Sequence, residues 1–484
     1  MTDSFIGVPG STEKLDAASV TTGYSGGSVL REGVYIGDPD TGTLQAKVLA
    51  DAPCAHDAGL LTRSIVYMGD SVALDAFGRL RVSEALTIFD SQQEYGLDTL
   101  RVWDATANGT LSNASPSTNG SVTNGSNAVG PTSLSTRMTP ITVSSTNGHY
   151  SILQSRAYAR YTPGKSHLVL ITGVFASGSA STAAIVYRTS GSGSVVDTVI
   201  QQANWNIDKM DGTGCSGITL DLTKTQILFI QAQWLGVGRV IMGFDIDGVL
   251  RPVHQFLNAN SLTVPYTQTF NLPVRLEAMA TGAAEHVCRA GYFDAANGFF
   301  IQTTRAVAGG TMQFVCCSVQ SEGGIDQRGF PTTIGSATST GVTTRRPVLS
   351  LRPKATFNSR TNRAHIKEIE AELTASNNNS YYEIVIGGTL TGESFASVGT
   401  SSIAEYDTAA TAITGGKAIV SGFVLSGSGS VRGQAFSGGD TRAAFVLSQI
   451  DALTAYQDAI TLVCTSFSGT SNITSVMRWH EQTV

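Results

Sequence analysis

Alternation of apolar and polar positions with a period of two dominates this chain, and it is densest over residues 205–277. Between positions 225 and 234, Leu228, Ile230, Ala232 and Trp234 fall on one face, while Gln231 and Gln233 fall on the other. A period of two is the signature of a strand with one buried face. After a break at Gly236 and Gly238, Val240, Met242, Phe244 and Ile246 share a face opposite Arg239, Ile241, Gly243 and Asp245. Asp247-Gly248 supplies the positive φ angles of a tight hairpin turn, and a third run over 249–256 leads back. The block predicts a β-meander at the centre of a sandwich.

The same pattern recurs, more weakly, along most of the chain. It predicts strands at 157–161, 168–175, 183–188, 274–280, 290–293, 299–305 and 313–320. Many short alternating strands without a long helical repeat point to a β-sandwich or jelly roll over 150–325. Residues 326–350 turn polar and turn-rich and are expected to be a linker. A second all-β domain is expected over 351–484, with strands at 418–425, 443–450, 460–466 and 474–480. The stretch 366–373 is ambiguous: Ile366, Ile369 and Leu373 fit a helix, whereas Ile369, Ala371 and Leu373 against Glu368, Glu370 and Glu372 fit a strand. The NNNS turn and YYEIVIGG run after it favour a hairpin. Upstream, 1–63 has little periodicity beyond 34–36 and 44–49 and is expected to be an extended N-terminal arm. Residues 64–149 are expected to be short strands and polar loops joining the arm to the sandwich. The predicted fold is therefore all-β, two sandwich or jelly-roll domains preceded by an arm.

Composition narrows the function. Charged residues make up 14% of the 484 positions and glycines number 52, which suits an all-β protein with many turns. The net charge of −6 and the lack of a basic run disfavour a nucleic-acid partner. No apolar run is long enough to span a bilayer as a helix, and the first residues lack a signal-peptide pattern; assembly in a host cytoplasm is the expectation. Cys54, Cys215, Cys288, Cys316, Cys317 and Cys464 show no metal-ligand spacing and are expected to be free, buried thiols. The seven histidines form no zinc-binding pair.

Few motifs carry chemistry. Gly212 to Gly217 matches GxGxxG, but the following Ile218, Leu220 and Leu222 alternate as a strand, not as the helix a dinucleotide site requires. Gly23 to Gly27 matches GxSxG in a polar segment with no strand-to-helix turn. Asn206, Asp208 and Asp211 gather oxygen ligands without EF-hand spacing. Asp245, Asp247, Glu277 and Asp294 are the carboxylates nearest to a glycosidase pair, although Asp247 already has a turn role. Trp205, Trp234 and Tyr266, with Phe270, are candidates to line a sugar groove. No catalytic residue, cofactor site or metal site is assigned.

Longer motifs carry a resemblance. DAFGRLRVSEALTIFDSQQEYG (75–96), YTPGKSHLVLITG (161–173), QWLGVGRVIMGFDIDG (233–248) and HQFLNANSLTVPYTQTFNLPVR (254–275) resemble segments of virion structural proteins of tailed bacteriophages. REGVYIGDPDTGTLQAKV is similar to an N-terminal element of that class, and DAITLVCTSFSGTSNITSVMRWHEQ to its closing strands. The resemblance implies a virion component with a concanavalin-like sandwich in the middle and a second sandwich at the C-terminus. It implies other virion proteins as partners and carries over no catalytic residue. The leading expectation is a structural subunit of a tail, neck or fibre-like appendage, oligomeric (a trimer first, a ring second), with the arm and 70–104 touching neighbours. A second reading is a carbohydrate-binding module recognising a host surface glycan; a third is a surface-polysaccharide hydrolase.

Overall fold

A computed structural model describes residues 86–94, 102–112, 121–322, 329–426 and 459–482, apart from 134, 177, 179–180, 283 and 337–339, together with backbone strands elsewhere. Among the described residues the one helical segment is a single 3-10 turn at Gln202–Asn204.

The meander forms as the alternation predicts. Gln226–Ala232, Val240–Ile246 and Val249–Phe256 pair antiparallel in sequence order. Asp247 and Gly248 sit at φ +54° and +81°, a conformation open to this dipeptide because Asp tolerates it and Gly has no Cβ to clash. The sheet continues through His167–Val174 to Gly310–Ser321. Along the far side of Gly310–Ser321 lie Thr139–Val143 and, further on, Leu86–Gln92. The facing sheet runs in the order Val196–Gln201, Thr182–Thr189, Gly298–Arg305, Glu285–Phe293, Val274–Gly282, Tyr150–Ser155, Trp103–Ala107, Thr110–Ser112. One apolar core fills the space between the two sheets, with Ile171, Ile230, Met242 and Phe244 from the first and Ile185, Leu276, Ala290, Tyr292 and Phe299 from the second.

Several expectations change. The central sandwich begins before residue 150: Trp103, Ala105, Ala107, Val129 and Ile141 are core residues, so 64–149 supplies strands of the sandwich itself. Positions 157–161 form no strand; only Ala159 makes an isolated bridge, to Leu272. Ala159 and Tyr161, two positions apart and both buried, mimic strand alternation there.

The expected linker over 326–350 also dissolves. Phe330–Gly335 and Thr340–Val342 pair with Ser471–Gln482, and Arg346–Pro353 pairs with Ile460–Ser466. These strands belong to the second sandwich. Its first sheet is built around Ser471–Gln482 and His365–Ser376. Its second sheet runs Ala396–Ser397, Ala404–Asp407, Arg346–Pro353, Ile460–Ser466, Ser380–Thr391, Ala412–Val424. Leu349, Leu351, Ile366, Leu373, Leu462, Met477 and Trp479 pack between the two.

The ambiguous stretch is a strand with a bulge. Lys367 pairs with His480 but Glu370 with Arg478, so one extra residue enters the ladder. The bulge turns both Ile366 and Ile369 inward, which is why the spacing imitated a helix. At the other end of the chain, Ser4–Gly7, Lys14–Thr22, Val29–Gly37 and Leu44–Lys47 pair in sequence order. The expected arm thus contains an antiparallel meander.

The two sandwiches touch. Arg363, from the C-terminal domain, places a guanidinium nitrogen 2.5 Å from the buried carboxylate of Asp294 and lies over the Tyr158 ring. Beside it, burial and then the charge of Arg160 hold His365 down to about 4, so the ring is neutral.

Candidate functional site

The predicted sugar-facing aromatics are spent on packing. Trp205 and Tyr266 are each 3% exposed and belong to the central core. Trp205 donates its indole N–H to the Ile200 carbonyl. Trp234 is half-buried, donates to Thr267 Oγ1 at 2.8 Å, stacks on Phe270 and meets Tyr161 edge-on. Phe270 in turn contacts Tyr292, Phe299 and the ring of His167. Burial lowers the His167 pKa to about 4, so it behaves as a neutral ring within this cluster. These rings join the two sheets, and Trp205, Tyr266 and Phe270 are buried away from any sugar.

The oxygen-rich loop closes on itself. Asp208 is buried, and its carboxylate accepts the backbone N–H groups of Met210 and Ser216. Asp211 accepts both the N–H and the hydroxyl of Thr213, which together hold its carboxyl below the usual range. Both carboxylates thus serve as local turn acceptors. Among the described residues no group of three or more His, Cys, Asp or Glu could hold a metal ion. Gly212 to Gly217 lies in a turn before Thr219, which bridges back to Asp211, so no helix N-terminus follows it. The GxSxG at Gly23 to Gly27 lies outside the described residues.

The four candidate carboxylates do not converge. Asp245 and Asp247 belong to the meander sheet, and Asp245 points away from the core side shared by Val240, Met242 and Phe244. Glu277 lies on the outer face of the opposite sheet, because its neighbours Leu276 and Ala278 fill the core. The whole core thickness, roughly 10 Å between sheets, separates Asp245 and Asp247 from Glu277. Asp294 is taken by Arg363 and by the backbone N–H groups of Ala296 and Asn297.

Glu277 instead anchors a buried polar layer. Its carboxylate bridges Arg275 at 2.7 Å and Arg289 at 2.8 Å. Arg275 also donates to Gln154, and Arg289 to Gln302. Burial alone would raise the Glu277 pKa; the two guanidiniums outweigh it and leave the carboxyl at about 2. The same arginines lie over aromatic rings, Arg275 over Phe293 and Arg289 over Phe300, and Arg188 lies over both. Charge here covers a small apolar cluster of Val186, Phe293 and Phe300.

The thiols divide. Cys288, Cys317 and Cys464 are free and buried, and burial pushes Cys288 and Cys464 up to about 12. Cys316 is free and half-buried. Cys215 departs from the expectation: it is exposed and disulfide-bonded. Cys54 lies outside the described residues.

Exposed apolar surface gathers elsewhere, on the C-terminal sandwich. Phe423 is 67% exposed and Phe467 60%, with ring centroids 5.8 Å apart, and Tyr381, paired across from Phe423, also lies 5.8 Å from it. Leu425, at 53%, extends the patch. Sequence reading missed it, because 418–425 looked like an ordinary apolar strand and Phe467 sits in a Ser-Gly turn. The available signal was the run Ala-Ile-Val followed by Phe-Val-Leu, in which both faces are apolar. A contiguous exposed aromatic patch is the kind of surface that binds another macromolecule.

No protein-family description matches the chain, and no curated protein matches it. Among solved structures, a lectin from Bauhinia forficata in complex with GalNAc is similar over 49% of this chain and 98% of its own, at 9% identity and a TM-score of 0.15. That likeness is too slight to carry an argument about function.

Proposed function

We propose that this chain is a structural component of a tailed-bacteriophage virion, an oligomeric subunit of a tail, neck or fibre-like appendage that mediates assembly. The observation that carries the reading is the set of long motifs resembling such proteins, at 75–96, 161–173, 233–248 and 254–275. All four motifs overlap elements that build the central sandwich, with Leu86–Gln92 in the first and most of His167–Val174 in the second. Residues 233–248 hold Val240–Ile246 and its hairpin turn, and 254–275 hold the Tyr266 and Phe270 rings that join the sheets. The fold also suits the role: two antiparallel sandwiches, extensive buried packing, and charged groups used as struts. The partners in this reading are further copies of the chain and neighbouring virion proteins, and its place is the virion.

Mass spectrometry of purified particles tests it directly. Peptides of this chain at a stoichiometry that divides into a cyclic symmetry are expected. Absence from particles together with a monomeric purified protein would overturn the reading.

A further inference from the structure

We infer that the C-terminal sandwich associates with a second copy of this chain through the Phe423–Phe467 patch and the adjoining half of the Ala412–Val424 edge strand. The inference deepens the virion-subunit reading by naming the surface that makes the subunit oligomeric.

Among the described strands Ala412–Val424 is the last of its sheet and pairs on one side only, with Ser380–Thr391. The opposite edge is Ala396–Ser397, too short to template another chain. Exposed long edges invite pairing, and monomeric proteins blunt them with charge, bulges or brevity. Here only the first half is blunted. Lys417 is exposed, Gly415 and Gly416 take positive φ, and the ladder slips at Ile384 and Val385. From Val420 onward the register with Ser380–Ile384 is regular, and 418–426 contains no charge and no proline. The unguarded half is the half that carries Phe423 and Leu425.

A second copy is the occupant that fits both features. An antiparallel edge is complementary to itself about a twofold axis, so each copy supplies the backbone groups that the other lacks. With no charged side chain over 418–426, the two edges meet without like-charge opposition. The area agrees: rings exposed to this extent, with Leu425, offer ~350 Å² of apolar surface per copy if a large side chain presents ~200 Å². Two copies thus supply about 700 Å², and pairing of the strands brings the total near the ~1,200 Å² at which specific interfaces begin.

Sedimentation velocity of the full chain over a concentration series tests the surface. Wild type is expected to self-associate. Phe423→Glu and Phe467→Glu are each expected to weaken association by about thirtyfold or more, as for loss of an interface hot spot. Both rings are exposed, so at concentrations below the association range circular dichroism and the melting temperature are expected to match wild type, which separates lost association from lost folding. Val199→Glu, an exposed position on the central sandwich, is expected to leave association unchanged. A wild type that remains monomeric throughout, or Phe423→Glu and Phe467→Glu variants that associate as tightly as wild type, overturns the assignment. Presence in particles is read separately, so the failure of this surface is distinguishable from failure of the virion reading.

Discussion

Replacing Glu277 by Gln is the sharpest probe of how the central sandwich holds itself together. The substitution keeps the volume and removes the anion between the buried guanidinium of Arg275 and the half-buried one of Arg289. Each arginine retains a glutamine partner, Gln154 or Gln302, but no counter-charge from this carboxylate. Breaking a buried ion pair from one side typically costs ~3–5 kcal/mol. The titration gives a similar magnitude: a carboxyl held at about 2, against 4.5 for a free glutamate, corresponds to ~3 kcal/mol. Because the folded pKa is depressed, this stabilisation is fully present above pH ~4.5 and fades as pH falls toward 2. Urea denaturation followed by tryptophan fluorescence suits the test, since Trp103, Trp205 and Trp234 all pack on the central core. At neutral pH the variant is expected to lose ~3 kcal/mol relative to wild type, and the gap is expected to close by about pH 2. A loss below ~1 kcal/mol at neutral pH, the range of an exposed pair, would refute the reasoning; so would a gap that stays constant with pH.

Other consequences are open to simpler measurements. Arg363→Ala removes the partner of the buried Asp294 carboxylate across the two sandwiches; calorimetry is expected to show their unfolding separating into two transitions, and an unchanged single transition contradicts the coupling. Gly243→Ala would place a Cβ 2.1 Å from the Arg251 carbonyl oxygen and 2.7 Å from the Phe229 ring, so a loss of ~1–3 kcal/mol from overpacking is expected in thermal melts. Trp205→Ala is expected to cost ~3–5 kcal/mol of sandwich stability; a ring serving a ligand would instead leave the melt unchanged. In the native protein, Cys288, Cys317 and Cys464 are expected to resist an aromatic disulfide reagent and to react after denaturation; prompt native labelling at these positions, read by peptide mapping, contradicts their burial.

The fold was legible wherever a strand has one wet and one dry face. His167–Val174 and Ser471–Gln482, expected at 168–175 and 474–480, alternate in burial along their length, and the Asp247-Gly248 turn follows from backbone sterics alone. Legibility failed where the two faces are alike. Phe330–Gly335 and Val196–Gln201 are edge strands with mostly exposed residues. Without a dry face they carry no period, so the first was read as linker and the second went unnoticed. It failed also where the ladder is irregular. A single extra residue between Lys367 and Glu370 shifts the parity of every later side chain, and spacing alone cannot separate that from a helical turn.

The candidate site misled for a related reason. Trp205 and Tyr266 are surrounded in sequence by Asn, Asp, Ser and Thr, which suggests solvent. Those polar groups instead satisfy their own loops, as Asp208 does for Met210 and Ser216, and the rings between them are left free to pack inward. Phe423 shows the converse: apolar context suggested burial, and the ring is exposed. Local composition therefore reports which groups a loop must satisfy, while the pairing of the strands decides which rings face water. Ser380–Thr391 covers one side of Ala412–Val424 and nothing among the described strands covers the other. Phe423 lies on that edge strand, so a partner that completes the sheet there would cover its ring along with the free edge.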